Sequence, residues 1–324
     1  MIYPWQQSQW TSLLARIKQG SLPHALFFSG AAGLGKLDFA GEFSNYLCCE
    51  KPIKCQPCQH CNGCRLFLAG SHPDMVVVTL MEKKKQIGVD QIRELGEFLS
   101  LTAQKAKQKI VIIECADRMN VNAANSLLKN LEEPSGSTLI ILVSHRIQAL
   151  PATIISRCQI IQFYPPELKI ATQWLSTQGT LELEAEVLLS LTRRAPLAAL
   201  AMSNSGQVTT RSDCFRALIA LFEQQSNPVK LAATWSKYGQ VQLFIWLQSW
   251  LSDMIKLKMT TDHRFISNID LIDALQTISD KIAIRELFKS YDLISESLRL
   301  TETQANSVLV LETLLINLSC MRTR

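Results

Sequence analysis

Long apolar runs are missing from the 324 residues. The strongest, "MVVV" at 75–78 and "LIILV" at 139–143, fall far short of the about 20 residues that cross a bilayer as a helix. The opening "MIYPWQQSQW" lacks a charged stretch followed by an apolar core, so no secretory signal is expected. Strong charge is lacking too. Only 19% of residues are charged and the formal net charge is +5, which permits contact with nucleic acid without requiring it. The basic patches are small, "KKK" at 83–85 and "QKAKQK" at 104–109, and read as solvated loop charges. There is no internal repeat and no low-complexity tract. These absences predict a cytoplasmic protein, in which the ten cysteines read as thiols or metal ligands rather than disulfides.

With 47% hydrophobic residues, the chain has enough apolar material for packed cores, and its length suggests two or three domains. The first half alternates short apolar runs with helical patterns. Candidate strands are "ALFFSG" (25–30), "DMVVVTL" (74–80), "KIVIIEC" (109–115), "TLIILVS" (138–144) and "QIIQFYP" (159–165). Most are continuously apolar, as strands buried on both faces are, which predicts a parallel sheet covered by helices. One helix is expected after Asp90 as N-cap, with Ile92, Leu95, Phe98 and Leu99 on one face. Another is expected from Val121 to Glu133, stopped by Pro134. Beyond "YPPE" (164–167) the strand signals end and the pattern is helical. "VQLFIWLQSWLSDMIKLKM" (241–259) is apolar over much of its circumference and reads as a central packing helix, with Trp235, Trp246 and Trp250 as core.

Three motifs carry chemistry. "GAAGLGKL" (30–37) follows a strand and precedes a helix, the context of a phosphate-binding loop. Gly30, Gly33, Gly35 and Lys36 fit, but Leu37 stands where a Ser or Thr would ligate magnesium. After "KIVII", Glu114 stands at the metal-associated acid and Cys115 where a second carboxylate would polarise water. Both departures argue against hydrolysis, while backbone amides and Lys36 still allow phosphate binding without turnover. The second motif is "CCEKPIKCQPCQHCNGC" (48–64), which holds six of the ten cysteines. Thiolates two residues apart converge on one tetrahedral zinc. Spacing alone selects Cys55, Cys58, Cys61 and Cys64, although a more distant first ligand, Cys48, Cys49 or His60, would close a better-shaped site. Four thiolates favour a structural rather than a catalytic metal. The third is "ISRCQIIQF" (155–163). Its Arg157 stands at the mouth of a strand and is open to two readings, an ordinary surface charge or a group that reaches a neighbouring subunit's phosphates.

Taken in order, "HALFFSGAAGLGK", "CQPCQHCNGC", "GSHPDMVVV", "IGVDQIREL", "ANSLLKNLEEPSGSTLIILVS" and "LPATIISRCQIIQF" resemble the AAA+ clamp-loader subunits of bacterial DNA polymerase III. The likeness covers most of residues 1–165; the helical remainder matches by length and class only. The resemblance implies an α/β plus all-α protein. Residues 1–165 would form an AAA+ P-loop parallel-sheet domain with a zinc-binding insertion at 48–64. Residues 166–206 would form a small helical lid, and 207–324 a helical collar. The family's cysteine spacing selects Cys49, Cys58, Cys61 and Cys64 as ligands of a structural zinc. Its Ser-Arg-Cys motif falls on Ser156, Arg157 and Cys158, making Arg157 an arginine finger for ATP on the adjacent motor subunit. Ser144 falls near the sensor-1 position, and Leu197 near a lost sensor-2 arginine. The implied role is a subunit with no ATPase of its own, inside a DNA-directed DNA polymerase holoenzyme, a nucleotidyltransferase as a complex. Its partners would be the motor subunits and the clamp-opening delta subunit, with the sliding clamp and primed DNA reached through the complex. An active motor subunit and a free zinc-dependent nucleic-acid-binding protein are the alternatives. Leu37 and Cys115 oppose the first, and the lack of a basic block opposes the second.

Overall fold

The computed structural model describes residues 2–82, 84–300 and 307–320. The chain divides into two compact units, Met1–Ile170 and Ala171–Arg324. The first holds a five-stranded sheet of β1 (Ala25–Ser29), β2 (Met75–Val78), β3 (Lys109–Ile113), β4 (Thr138–Ser144) and β5 (Gln159–Gln162), in the order β2-β3-β4-β1-β5. Every pairing is parallel. The inner strands β1, β3 and β4 are buried at every residue, as their continuous apolar sequences require, whereas the edge strands β2 and β5 are partly exposed. The helices are α1 (Gln7–Lys18), α2 (Lys36–Cys48), α3 (Asn62–Leu68), α4 (Val89–Ser100), α5 (Val121–Glu132) and α6 (Ala152–Ile155).

Aromatic rings lock α1 and α2 to the sheet. Trp10 of α1 meets Phe39, Phe43 and Tyr46 edge-on, and Phe39 bridges Phe28 of β1 to Phe163 beyond β5. One expectation fails in detail. Asp90 is not the N-cap of α4, because the helix starts at Val89 and Gly88 precedes it. The Gly88 N–H donates to Gln91 Oε1 (3.2 Å), so the cap is closed from the third helical residue, while Asp90 sits in the first turn paired with Arg93. Of the "KKK" patch, Lys84 and Lys85 are exposed and Lys83 lies outside the described residues.

The second unit is helical: α7 (Leu168–Ser176, which begins in the first unit), α8 (Ala185–Leu191), α9 (Pro196–Asn204), α10 (Gln207–Phe222), α11 (Pro228–Trp235), α12 (Gln240–Met259), α13 (Ile272–Lys281), α14 (Ile284–Leu300) and α15 (Ser307–Ser319). Two apolar clusters organise it. A small one gathers Leu175, Leu188, Leu189, Ala199 and Met202, and a large one is built around Trp235, Phe244, Trp250 and Leu314. A buried polar network pins the 263–271 segment. Arg211 of α10 donates to Asp270 Oδ2 (2.7 Å) and Asn268 Oδ1 (2.7 Å), and Asp253 of α12 accepts from the Asn268 side chain (2.7 Å) and backbone (2.8 Å). Among the described residues, no helix is long and apolar enough to cross a membrane.

Asp74 holds the entry to β3. Fully buried, it accepts from the backbone N–H groups of Gln104 (2.7 Å), Lys105 (2.6 Å) and Ala106 (2.8 Å). The Lys109 ammonium lies 3.7 Å away and covers the Phe98 ring. Burial works against the charged carboxylate, but the three amides and Lys109 outweigh it and hold its pKa below the usual range. Asp74→Asn leaves a buried ammonium without its counter-charge and should cost about 3–5 kcal/mol, read from urea unfolding. Because the folded pKa is depressed, the contribution of Asp74 is complete above the ordinary carboxylate value of about 4 and drains as pH falls through the lower folded value. The gap between wild type and variant should therefore stay level at neutral pH and narrow only in strong acid.

Candidate functional site

The glycine loop lies between β1 and α2, where the strand order places β1 between β4 and β5. Lys36 does not point to solvent. Its Nζ donates to Gly30 O (2.7 Å) and Ala31 O (2.6 Å) and lies 2.9 Å from His145 Nδ1, and the side chain is 2% exposed. All three ammonium protons thus have acceptors inside the protein. Burial pulls the Lys36 pKa down to about 8, against the pull of Asp117 and Cys115. Burial and the Lys36 charge lower the pKa of His145, so the imidazole is neutral and accepts from the ammonium.

The chain's own beginning sits on the loop. Gln6 is fully buried and its Nε2 donates to Leu34 O and Gly35 O, each at 2.9 Å. Trp5 Nε1 donates to Leu34 O (3.1 Å). Tyr3 stacks on Trp5 with rings 4.9 Å apart, and its hydroxyl donates to Asp38 Oδ2 (3.0 Å). Gly35, at φ +75°, packs so closely that a Cβ would lie 2.5 Å from the Tyr3 ring. Leu37 is on the surface. Sequence reasoning missed Tyr3, Trp5, Gln6 and His145. The last had a signal, since it follows the C-terminal end of β4, where ligands of open α/β sheets bind.

At the tips of β3 and β4 the ordered acid is Asp117. Ser144 Oγ donates to its Oδ1 (2.8 Å) and accepts from the Arg146 N–H (2.9 Å), with Arg146 Nε 3.5 Å from Asp117 Oδ2. Burial opposes the charge, but the hydrogen bonds from Ser144, the local backbone and Arg146 keep the Asp117 pKa below its usual range. Cys115 takes a left-handed conformation, φ +53°, at the start of the turn. Burial, then Glu114 and Asp117, push its thiol pKa up.

The thiols form a second centre. The sulfurs of Cys49, Cys58, Cys61 and Cys64 lie within 4.8 Å of one another. Cys49 follows α2, Cys61 caps α3 and Cys64 lies in its first turn. The N–H groups of Cys58, Cys61 and Cys64 point at the sulfurs of Cys49 (3.3 Å), Cys58 (3.4 Å) and Cys61 (3.4 Å). Gly63 is required here, because a Cβ would lie 2.1 Å from Cys48 O. Cys55 is exposed and offers its carbonyl to Trp10 Nε1 (3.2 Å), so Cys49 and not Cys55 completes the cluster. His60 stands outside it, with Nδ1 2.6 Å from Cys58 O. Cys48 is buried and its thiol pKa is pushed up to about 12, chiefly by burial. A zinc with bonds of about 2.3 Å to four sulfurs sets them about 3.8 Å apart. The Cys61–Cys49 separation of 3.9 Å fits that geometry.

Arg157 lies elsewhere. It precedes β5, whose first residue, Gln159, pairs with Leu26 near the start of β1. Its Nη2 is 2.6 Å from Glu132 Oε1, and Nη1 donates to Thr153 O (2.9 Å) and Ser156 Oγ (3.3 Å). The glycine loop follows the other end of β1, a strand of five residues that spans about 17 Å. The loop and Arg157 therefore lie at opposite ends of the strands.

Comparison with known proteins gives a consistent picture. The family model described as "DNA polymerase III, delta subunit" matches residues 5–167, and "DNA polymerase III, delta subunit, C terminal" matches residues 205–319. The chain is 36% identical to DNA polymerase III subunit delta' of Pseudomonas aeruginosa over 320 residues, covering 97% of this chain and 96% of that one. It is 33% identical to the protein of that name from Escherichia coli K12 over 255 residues, 78% of this chain and 76% of that one. In fold it is similar to a gamma-subunit-related protein of Thermotoga maritima, with a TM-score of 0.50, 20% identity and coverage of 95% and 97%.

The bonding of Lys36 makes a claim that does not depend on any nucleotide. Lys36→Met removes a buried three-way donor from the Gly30 and Ala31 carbonyls and from His145, and should lower the stability of the isolated chain by about 1–3 kcal/mol in urea unfolding. Added ADP should shift neither midpoint. An unchanged midpoint in the variant would mean that Lys36 is free to serve a phosphate.

Proposed function

The chain belongs to the delta-prime subunits of DNA polymerase III and so has a clamp-loader role in DNA replication; from that premise we propose that it turns over no ATP itself and lends Arg157 to the nucleotide of a neighbour. One observation carries this reading. Arg157 and the chain's own glycine loop are at opposite ends of the strands, so any phosphate that Arg157 meets is held by another subunit. The state of the loop supports the other half. Lys36 is bound to loop carbonyls and His145, Leu37 offers no magnesium ligand, and Cys115 offers no carboxylate.

A finger supplied in trans neutralises charge on the transferring phosphoryl group and can be worth ~10³–10⁵ in rate. Membership of the loader implies a complex with other clamp-loader subunits. In our reading the immediate neighbours are a motor subunit and the clamp-opening delta subunit, and this chain reaches sliding clamp and primed DNA through them, in the cytoplasm. The intrinsic enzymology belongs to the holoenzyme, not to this chain. We read residues 1–165, inside the first unit, as the P-loop domain with its thiol insertion, and residues 166–206 and 207–324 as a lid and a collar, a division that the two separate apolar clusters of the helical unit support.

We assign zinc to Cys49, Cys58, Cys61 and Cys64. Four soft thiolates with backbone N–H support leave no open position for water, so the metal would staple the end of α2 to α3 and supply no chemistry beyond that. The purified protein should carry about one zinc per chain. Cys49→Ser should lower zinc retention, and Cys55→Ser should not. Metal loss in the Cys55 variant alone would give the site to the other register.

The functional test is Arg157→Ala in a loader reconstituted with its motor and clamp-opening partners. Assembly should persist, while DNA- and clamp-stimulated ATP hydrolysis and clamp loading fall. The fall should be well short of the full ~10³–10⁵ of a finger, because only one of several ATP sites faces this residue. Arg157→Lys should rescue poorly, since an ammonium lacks the planar fork. Normal loading by the Ala variant would reduce Arg157 to a surface charge.

A further inference from the structure

Resting on the trans-finger reading of Arg157, we infer that Glu132 is a positioning residue, which aims the Arg157 guanidinium before the neighbouring nucleotide arrives. Glu132 is the last residue of α5. An acid at a helix C-terminus faces the negative end of the helix dipole and is disfavoured there unless a cation compensates it. The cation is Arg157, whose Nη2 lies 2.6 Å from Glu132 Oε1. The other terminal nitrogen, Nη1, is held by Thr153 O and Ser156 Oγ. With both terminal nitrogens bound, the plane of the guanidinium is biased, and part of the rotamer freedom of a long side chain is given up before encounter.

The base under this arrangement is rigid. Leu127 and Leu131 of α5 and Ile154 of α6 lie in one buried cluster, with Ile155 and Cys158 packed against it. The carboxylate and the arginine are thus carried by elements that share a core. Their ion pair is itself half-open to solvent, with Arg157 36% and Glu132 49% exposed. Exposed pairs of this kind are weak. That is the strength the task needs, enough to bias the rotamer and too little to compete with a phosphoryl group for the guanidinium protons.

The test uses the reconstituted loader and compares Glu132→Gln, Arg157→Ala and the double variant, with thermal melts of each subunit confirming the fold. Glu132→Gln keeps the shape and removes the charge. It should lower the DNA- and clamp-stimulated kcat about two- to five-fold with KM for ATP unchanged. Because Glu132 acts through Arg157, the double variant should be no slower than Arg157→Ala alone. Two results would overturn the inference while leaving the finger in place: a Glu132→Gln kcat equal to or above wild type with Arg157→Ala impaired, or a double variant slower than Arg157→Ala by the full Glu132→Gln factor. A normal rate for Arg157→Ala itself would remove the finger, and this inference with it.

Discussion

Because all five strands run the same way, the sheet has two chemically distinct ends. Every loop that follows a strand gathers at one, and every segment that enters a strand gathers at the other. The glycine loop, Asp117 and His145 belong to the first end, and Arg157, Glu132 and the entry to β5 to the second. A single chain of this polarity cannot bring its own loop and its own arginine to one phosphate. In our reading, function at Arg157 therefore requires a neighbour.

At the loop end of the strands, the chain's own groups bond the glycine loop. Three acceptors satisfy Lys36, Gln6 spans two loop carbonyls, and the Tyr3–Trp5 stack covers Gly35. Glycine stands at the contact under Tyr3, and lysine serves as a buried three-way donor.

The strands were legible because burial on both faces demands continuous apolar runs, and the class of the helical unit was legible from its period. What escaped was nonlocal. Asp90 has cap chemistry, yet Gln91 closes the cap from inside the helix. Gln6 and His145 are 28 and 109 residues from the loop partners they bind, and no spacing rule links them. Arg211, Asp253 and Asn268 are far apart in the chain, yet they meet in a buried network in which Arg211 bonds Asp270 and Asn268 and Asp253 accepts from Asn268. Among the thiols, spacing alone pointed to Cys55 and family likeness to Cys49. The geometry follows Cys49, because the chain leaving α2 turns that residue inward while Cys55 lies in an exposed turn. For Arg157, the sequence offered a motif but not the Glu132 that holds it.

The claim that this chain closes its own site and completes its neighbour's is most directly tested by the structure of the assembled loader trapped with ADP and aluminium fluoride. The account predicts the Arg157 guanidinium within hydrogen-bond distance of the fluoride on the adjacent subunit, with Lys36 still on Gly30, Ala31 and His145 and no nucleotide in residues 30–36. Nucleotide seated in this chain's own loop, with Arg157 far from any phosphoryl mimic, would contradict it.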